Sequence, residues 1–199
     1  MFPDFLENPS DVVAPLLLGC TLTRTITLNG EKHKLVARIV ETEAYDQDDP
    51  ASHAFGGFSE RNAAMFGPAG HLYVYVSYGM HHCCNVVCGS EGFGSGCLVR
   101  AVEPLEGIEV MRILREAGHA LRHPLKLRNL TNGPGKACAA LGVDKELYGH
   151  DLKVEPLILD FAPLLPGETI DRSPRVGVSK NADALKRFFI KGNTFVSKA

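Results

Sequence analysis

Apolar and polar positions along this chain follow two periods, one near two residues and one near three to four, which predicts short elements of both kinds. Ser10-Asp11 ahead of Val12-Val13-Ala14 has the form of a helix start, with Leu16 to Leu18 as its buried face and Gly19 as its end. Residues 21–28 and 31–44 read as strands. Asn29-Gly30 between them is a hairpin signal, because both residue types accept the positive φ of a tight turn. A second hairpin is predicted over residues 71–88, bending near Tyr78-Gly79-Met80, and residues 97–102 return as a strand after a glycine-rich loop. Glu103-Pro104 reads as the opening of a helix over residues 105–117, in which Leu105, Ile108, Met111 and Leu114 recur at three-residue steps. Gly133-Pro134-Gly135-Lys136 reads as the start of another helix. Residues 157–160, 175–178 and 187–190 are short pieces. The sum is an α+β fold: a curved, mainly antiparallel and partly closed sheet, flanked by helices, with a protruding hairpin.

The chain of 199 residues is long enough for one domain with a real core, so residues 1–199 are taken as a single domain. No apolar run approaches the roughly 20 residues that span a bilayer. The first residues lack the positive and apolar regions of a signal peptide. A cytoplasmic, reducing location and a monomer are expected, with the six cysteines as free thiols. The net charge of −2 does not favour a polyanion partner, but its distribution is uneven. Arg112, Arg115, Arg122, Lys126, Arg128 and Lys136, with His119 and His123, form one basic stretch. Glu41, Glu43, Asp46, Asp48 and Asp49 form an acidic one without a cation. Two solvated surfaces fit this pattern, and so does a nucleic-acid face beside a set of catalytic acids.

Strand geometry groups the side chains that could carry chemistry. Glu41, Glu43 and Tyr45 share one face, while Val40, Thr42 and Ala44 share the other. Such a face is ordinarily solvated, but carboxylates beside an aromatic ring also fit an active site. Tyr73, Tyr75 and Ser77 share a second face, opposite Leu72, Val74 and Val76, which read as core. The tyrosines fit either cross-strand packing or a platform for nucleobases, each stack being worth roughly 1–3 kcal/mol. Tyr78, at the bend, can project into a partner such as a DNA base stack. His81-His82-Cys83-Cys84 has zinc-ligand types at poor spacing, since adjacent residues point to opposite faces, so no metal and no cofactor is expected. Gly133-Pro134 fits a helix cap or a phosphate contact through free N–H groups.

Taken together, these segments resemble the methylpurine (alkyladenine, 3-methyladenine) DNA glycosylase family. The resemblance rests on Arg38-Ile-Val-Glu-Thr-Glu-Ala-Tyr45, Ala51-Ser-His53, Arg61-Asn62, Gly70-His-Leu-Tyr-Val-Tyr-Val-Ser-Tyr-Gly-Met80 through Asn85, Leu98-Val-Arg100, Asn132-Gly-Pro-Gly-Lys136 and Arg175-Val-Gly-Val178, in family order over most of the chain. It implies that Glu43 is the general base that activates water and that Arg100 helps hold that water. Tyr45, His53 and Tyr75 would wall the pocket for the flipped base, and Asn85 would crowd the exocyclic amine of normal guanine. Tyr78 would be the intercalating wedge. Met80 and His81 beside it, with Arg61 and Lys136, would contact DNA. The partner implied is double-stranded DNA containing damaged purines. His81 stands where some relatives carry an aromatic residue, and the 56–60 loop ends in Glu60 where basic residues are common. A short N-terminus favours a bacterial-type form.

The chemistry implied needs these groups. Breaking an N-glycosidic bond builds positive charge on the sugar, and one carboxylate can both favour that charge and accept the water proton. With water as nucleophile, no amine has to attack the sugar, so a monofunctional enzyme is expected. A non-catalytic binder of distorted DNA would use the same hairpin without releasing a base. A zinc hydrolase built on His81, His82 and the cysteines would need bound metal.

Overall fold

The computed structural model describes residues 1–117 and 125–198. His119, Arg122 and His123 of the basic stretch lie outside the described residues. In chain order the elements are α1 (Ser10–Leu16), β1 (Thr21–Leu28), β2 (Glu31–Asp46), β3 (Leu72–Ser77), β4 (His81–Val87), β5 (Ser95–Glu106), α2 (Ile108–Glu116), α3 (Pro134–Ala140), β6 (Leu157–Asp160), β7 (Ile170–Ser173) and β8 (Arg187–Ile190). The fold is compact α+β. Its strands form an eight-stranded sheet, ordered β3-β4-β5-β2-β1-β6, in which β8 pairs with β2 and β7 with β8. All of these pairings are antiparallel. The sheet stays open and does not close into a barrel, so the partial closure expected from the sequence is corrected to an open edge.

The long strand β2 organises everything else. Its first half pairs with β1 through the hairpin turned at Asn29-Gly30, both at positive φ as the dipeptide predicts. Its second half runs between β5 and β8, with Glu43 opposite Leu98 on one side and Arg187 on the other. Period-two alternation then sorts its faces. Val40 and Ala44 join the main core and Thr42 Oγ1 donates to the Ala14 carbonyl of α1 at 2.8 Å. Glu41, Glu43 and Tyr45 are turned away from α1.

Three expectations are corrected. Residues 103–106 continue β5 instead of opening a helix, and α2 begins only at Ile108, after Gly107. Pro104 sits opposite Ala37 where β4 no longer flanks β5, and a strand position without a second neighbour accepts a residue lacking an N–H. Leu105 is consequently exposed, while Met111 is fully buried. Val76 is also exposed, because the β3–β4 hairpin leaves the core before its tip. Residues 175–178 form a loop, and the strand that pairs with β8 is Ile170–Ser173. All six cysteines are buried and free. Among the described residues, no helix is long and apolar enough to cross a membrane.

Gly107 makes the β5–α2 corner at φ 76°, where a Cβ would come within 2.6 Å of the Lys34 carbonyl oxygen. Gly30 has a similar φ of 83° but open space around it. Gly30→Ala is therefore expected to cost about 1 kcal/mol of stability, for the left-handed backbone alone. Gly107→Ala is expected to cost about 3 kcal/mol, for backbone plus clash. Urea unfolding of both variants checks the difference, and equal midpoints would contradict the packing at the corner.

Candidate active site

A cleft of about 650 Å3 opens where β2, β3, β4 and β5 present their polar face to the 176–180 loop. Of the residues singled out from sequence, Glu43, Tyr45, His53, Tyr75, Tyr78, Asn85 and Arg100 all line it. Glu43 has no solvent-exposed surface and forms the floor. Its Oε2 accepts the Tyr45 hydroxyl at 2.9 Å, and its Oε1 accepts the Val176 N–H at 2.8 Å. Arg100 Nε lies 3.5 Å from the same Oε1. Burial pushes the Glu43 carboxyl above the usual carboxylate range, against the opposing pull of Arg100, the Val176 N–H and the Tyr45 hydroxyl.

The walls are aromatic. Tyr73 and Tyr75 lie on one face of β3, as alternation predicts, with ring centroids 5.7 Å apart and planes 23° apart. His53 meets Tyr75 edge-on at 4.5 Å, and its Nδ1 is 3.0 Å from the Tyr73 hydroxyl. Asn62 clamps the loop that carries His53, donating to the carbonyls of His53 and Gly57. Burial, and then the charge of Arg61, lower the His53 pKa below the ordinary histidine value, so the imidazole is neutral at neutral pH. Burial raises the Tyr73 hydroxyl to about 12. Tyr45 stands across the cleft, and burial, followed by the Glu43 charge, raises its pKa as well. Asn85 is buried on β4, opposite Tyr73 on one side and Leu98 on the other.

The hairpin tip is built differently. Tyr78 has φ 50° and is 85% exposed, and Met80 is 74% exposed. His81 is exposed and rests against the start of α3, where a Cβ on Gly135 would come within 2.8 Å of its own Cβ. Arg61 is exposed and lines a neighbouring cavity with Lys145 and Tyr148. Lys136 is half-buried, donates to Asn132 Oδ1 at 2.8 Å, and does not line the cleft. Of the basic stretch, Lys126 and Arg128 are exposed.

Several residues of the site were given no role from sequence. Arg175 donates to Asp49 through two nitrogens, at 2.6 and 3.1 Å, and to the Ala44 carbonyl at 3.0 Å. Its guanidinium lies 4.6 Å from the Tyr45 ring centroid and fixes that ring from behind. Burial alone would raise the Asp49 carboxyl, but the hydrogen bonds from Arg175, Ala51 and Asn181 hold it at about 2. Arg187 Nε donates to Glu41 Oε1 at 2.6 Å. The acidic stretch 41–49 is thus not a single solvated surface, because Glu41, Glu43 and Asp49 are buried against arginines from elsewhere in the chain. The available signal was the lack of any cation in that stretch. Among the described residues no group of three or more His, Cys, Asp or Glu could hold a metal ion.

The family model described as methylpurine-DNA glycosylase matches residues 4–194. A protein of Methanoculleus marisnigri is 43% identical over 98% of this chain and 96% of its own length. One of Carboxydothermus hydrogenoformans is 42% identical over 94% and 93%. One of Agrobacterium fabrum is 49% identical over 80% and 77%. All three are named as candidate 3-methyladenine DNA glycosylases. A match over nearly the whole chain, on a fold whose cleft gathers the motif residues, shows that this chain belongs to the methylpurine-DNA glycosylase family, enzymes that hydrolyse N-glycosyl bonds in DNA repair.

Proposed function

We propose that this protein flips an alkylated or deaminated purine nucleotide out of double-stranded DNA and hydrolyses its N-glycosidic bond with a water activated by Glu43. The observation that carries this reading is a buried carboxylate on the floor of a cleft walled by Tyr45, His53 and Tyr75. The names of the relatives point to the same substrate class. Among the described residues, Oε2 of Glu43 accepts only the Tyr45 hydroxyl, which leaves it a lone pair for the proton of the attacking water. Arg100 helps hold that water and, with the Val176 N–H, favours the ionised carboxylate. The ionised form also stabilises the positive charge that grows on the sugar as the purine leaves.

Selectivity follows from the walls. A cationic alkylated purine such as 3-methyladenine or 7-methylguanine gains from tyrosine faces, and a neutral His53 does not repel it. Neutral lesions such as hypoxanthine and ethenoadenine stack in the same slot. Asn85 at the base edge works against guanine, whose exocyclic amine it would crowd. Tyr78 fills the gap left by the extruded base, Met80 and His81 flank it on the duplex, and Arg61 and Lys136 contribute positive charge nearby. The enzyme acts as a monomer in the cytoplasm and as a monofunctional glycosylase. Lys180, exposed at the rim, is the amine that borohydride trapping would reveal if it attacked the sugar, and no trapped adduct is expected.

Glu43→Gln is expected to bind lesion duplex normally and to lose about 10²- to 10⁴-fold in single-turnover base release; wild-type turnover in that variant would remove Glu43 from the mechanism. The base must be ionised to take a proton, and burial holds this carboxyl high. The wild-type rate is therefore expected to fall with decreasing pH from a point above 4.5, the value of an unperturbed glutamate, and a rate still flat below it would contradict the role. Tyr78→Ser should leave thermal unfolding unchanged and reduce the fluorescence rise of a 2-aminopurine placed beside the lesion. An undiminished rise would count against the wedge.

A further inference from the structure

Behind the cleft floor lies a second buried carboxylate that the hydrolytic step does not require. Glu41 is fully buried and does not line the cleft, so it cannot touch a bound nucleotide. Both of its oxygens are nonetheless hydrogen-bonded. Oε1 accepts Arg187 Nε at 2.6 Å and the Ser197 hydroxyl at 2.8 Å, and Oε2 accepts the Ser197 N–H at 2.6 Å. Arg100 Nε lies 3.1 Å from Glu41 Oε1, closer than its 3.5 Å to Glu43, and donates to Ser197 Oγ at 3.1 Å. The arginine at the catalytic carboxylate is therefore held mainly from behind.

We propose that Glu41 is a positioning residue, which fixes Arg100 at the Glu43 carboxylate and ties that pair to Arg187 and Ser197. This rests on the reading of Glu43 as the general base. A guanidinium that paired with Glu43 alone would swing onto it and compete for the lone pairs that the attacking water needs. Divided between two carboxylates, it stays at the edge of Glu43 and leaves that group basic. Ser197 adds direction, because its hydroxyl accepts from Arg100 and donates to Glu41, closing a small ring of hydrogen bonds.

The consequence can be read from pH. The charged and titratable groups around Glu43 are Glu41 and Tyr45 on β2, Arg100 on β5 and Arg187 on β8. His53, Tyr73, Tyr75, Tyr78, Cys83 and Lys180 line the cleft around it, and Val176 supplies its N–H. Neutralising Glu41 removes the like charge beside Glu43 and leaves Arg100 undivided. It also leaves Arg187 without its counter-charge. All three changes favour the ionised Glu43, so its ionisation moves to lower pH and it becomes a weaker base.

Single-turnover base release against pH, duplex affinity and thermal unfolding are to be measured on Glu41→Gln, Ser197→Ala and Glu43→Gln. Glu41→Gln is expected to lose about 10- to 100-fold in rate, as for a catalytic group displaced by a fraction of an ångström. Its duplex affinity should hold and the acid limb of its profile should move to lower pH. Ser197→Ala keeps every charge and should lose about 3- to 10-fold, the worth of one hydrogen bond, with its acid limb unmoved. A Glu41→Gln protein with wild-type rate and acid limb overturns the inference. So does one whose rate falls only in proportion to weaker binding or lost folded protein. Should Glu41→Gln not fold, Ser197→Ala decides, and a wild-type rate there overturns the inference. An active Glu43→Gln overturns the underlying reading instead, whichever way Glu41 behaves.

Discussion

The site depends on the pairing of buried acids with buried arginines at one end of β2. Glu41 and Glu43 on that strand, and Asp49 just beyond it, are almost wholly removed from water, as are Arg100, Arg175 and Arg187. A lone ionised carboxylate in that position would simply take up a proton. Its charge survives only where cations and N–H groups replace the lost hydration. Breaking such a pair by removing one partner typically costs about 3–5 kcal/mol, because the other charge stays buried. The cluster therefore serves the fold and the chemistry together. It pins β8 and the segment after it to β2, fixes the 175–180 loop through Asp49, and sets Arg100 and the Val176 N–H beside the cleft-floor carboxylate.

The same interaction marks the limit of what the sequence reveals. Alternation was enough to group Glu43 with Tyr45 and Tyr73 with Tyr75, because period two is a local property of a strand. The motif resemblance named seven cleft-lining residues. Neither could show that the acids of residues 41–49 have partners, since Arg175 is 126 residues from Asp49 and Arg187 is 146 from Glu41. A local count of charge sees an acidic surface where the fold has built a neutral interior. The misplaced start of α2 has a related cause. A Glu-Pro pair signals a helix start by local rules, yet Pro104 lies in a strand because β2 needs a partner opposite Ala37, and the break falls at Gly107.

Rigid and exposed parts of the molecule divide the work. The floor is held on every side, and Tyr45 is fixed both by its bond to Glu43 and by the Arg175 guanidinium behind its ring. The β3–β4 hairpin has the opposite character: Val76, Tyr78 and Met80 project beyond the core, and the turn carries a non-glycine residue at positive φ. A tyrosine in that conformation is strained by roughly 1–2 kcal/mol. It gains nothing from the protein interior in return, and strain at an exposed ring makes sense where a partner supplies the packing.

The proposed role of Glu43 as general base sets two demands that oppose each other in water, and burial bears on both. A general base should be basic, which favours a high pKa, and it should be ionised, which favours a low one. Desolvation provides the first. The second comes from Arg100, the Val176 N–H and the Tyr45 hydroxyl, each at the edge of the carboxylate. A stronger counter-charge would make the acid a weaker base, and a weaker counter-charge would favour its neutral form. On the proposal that Glu41 positions Arg100, dividing that guanidinium between two carboxylates moderates its pull on Glu43, and the 3.1 and 3.5 Å distances to the two acids define that division.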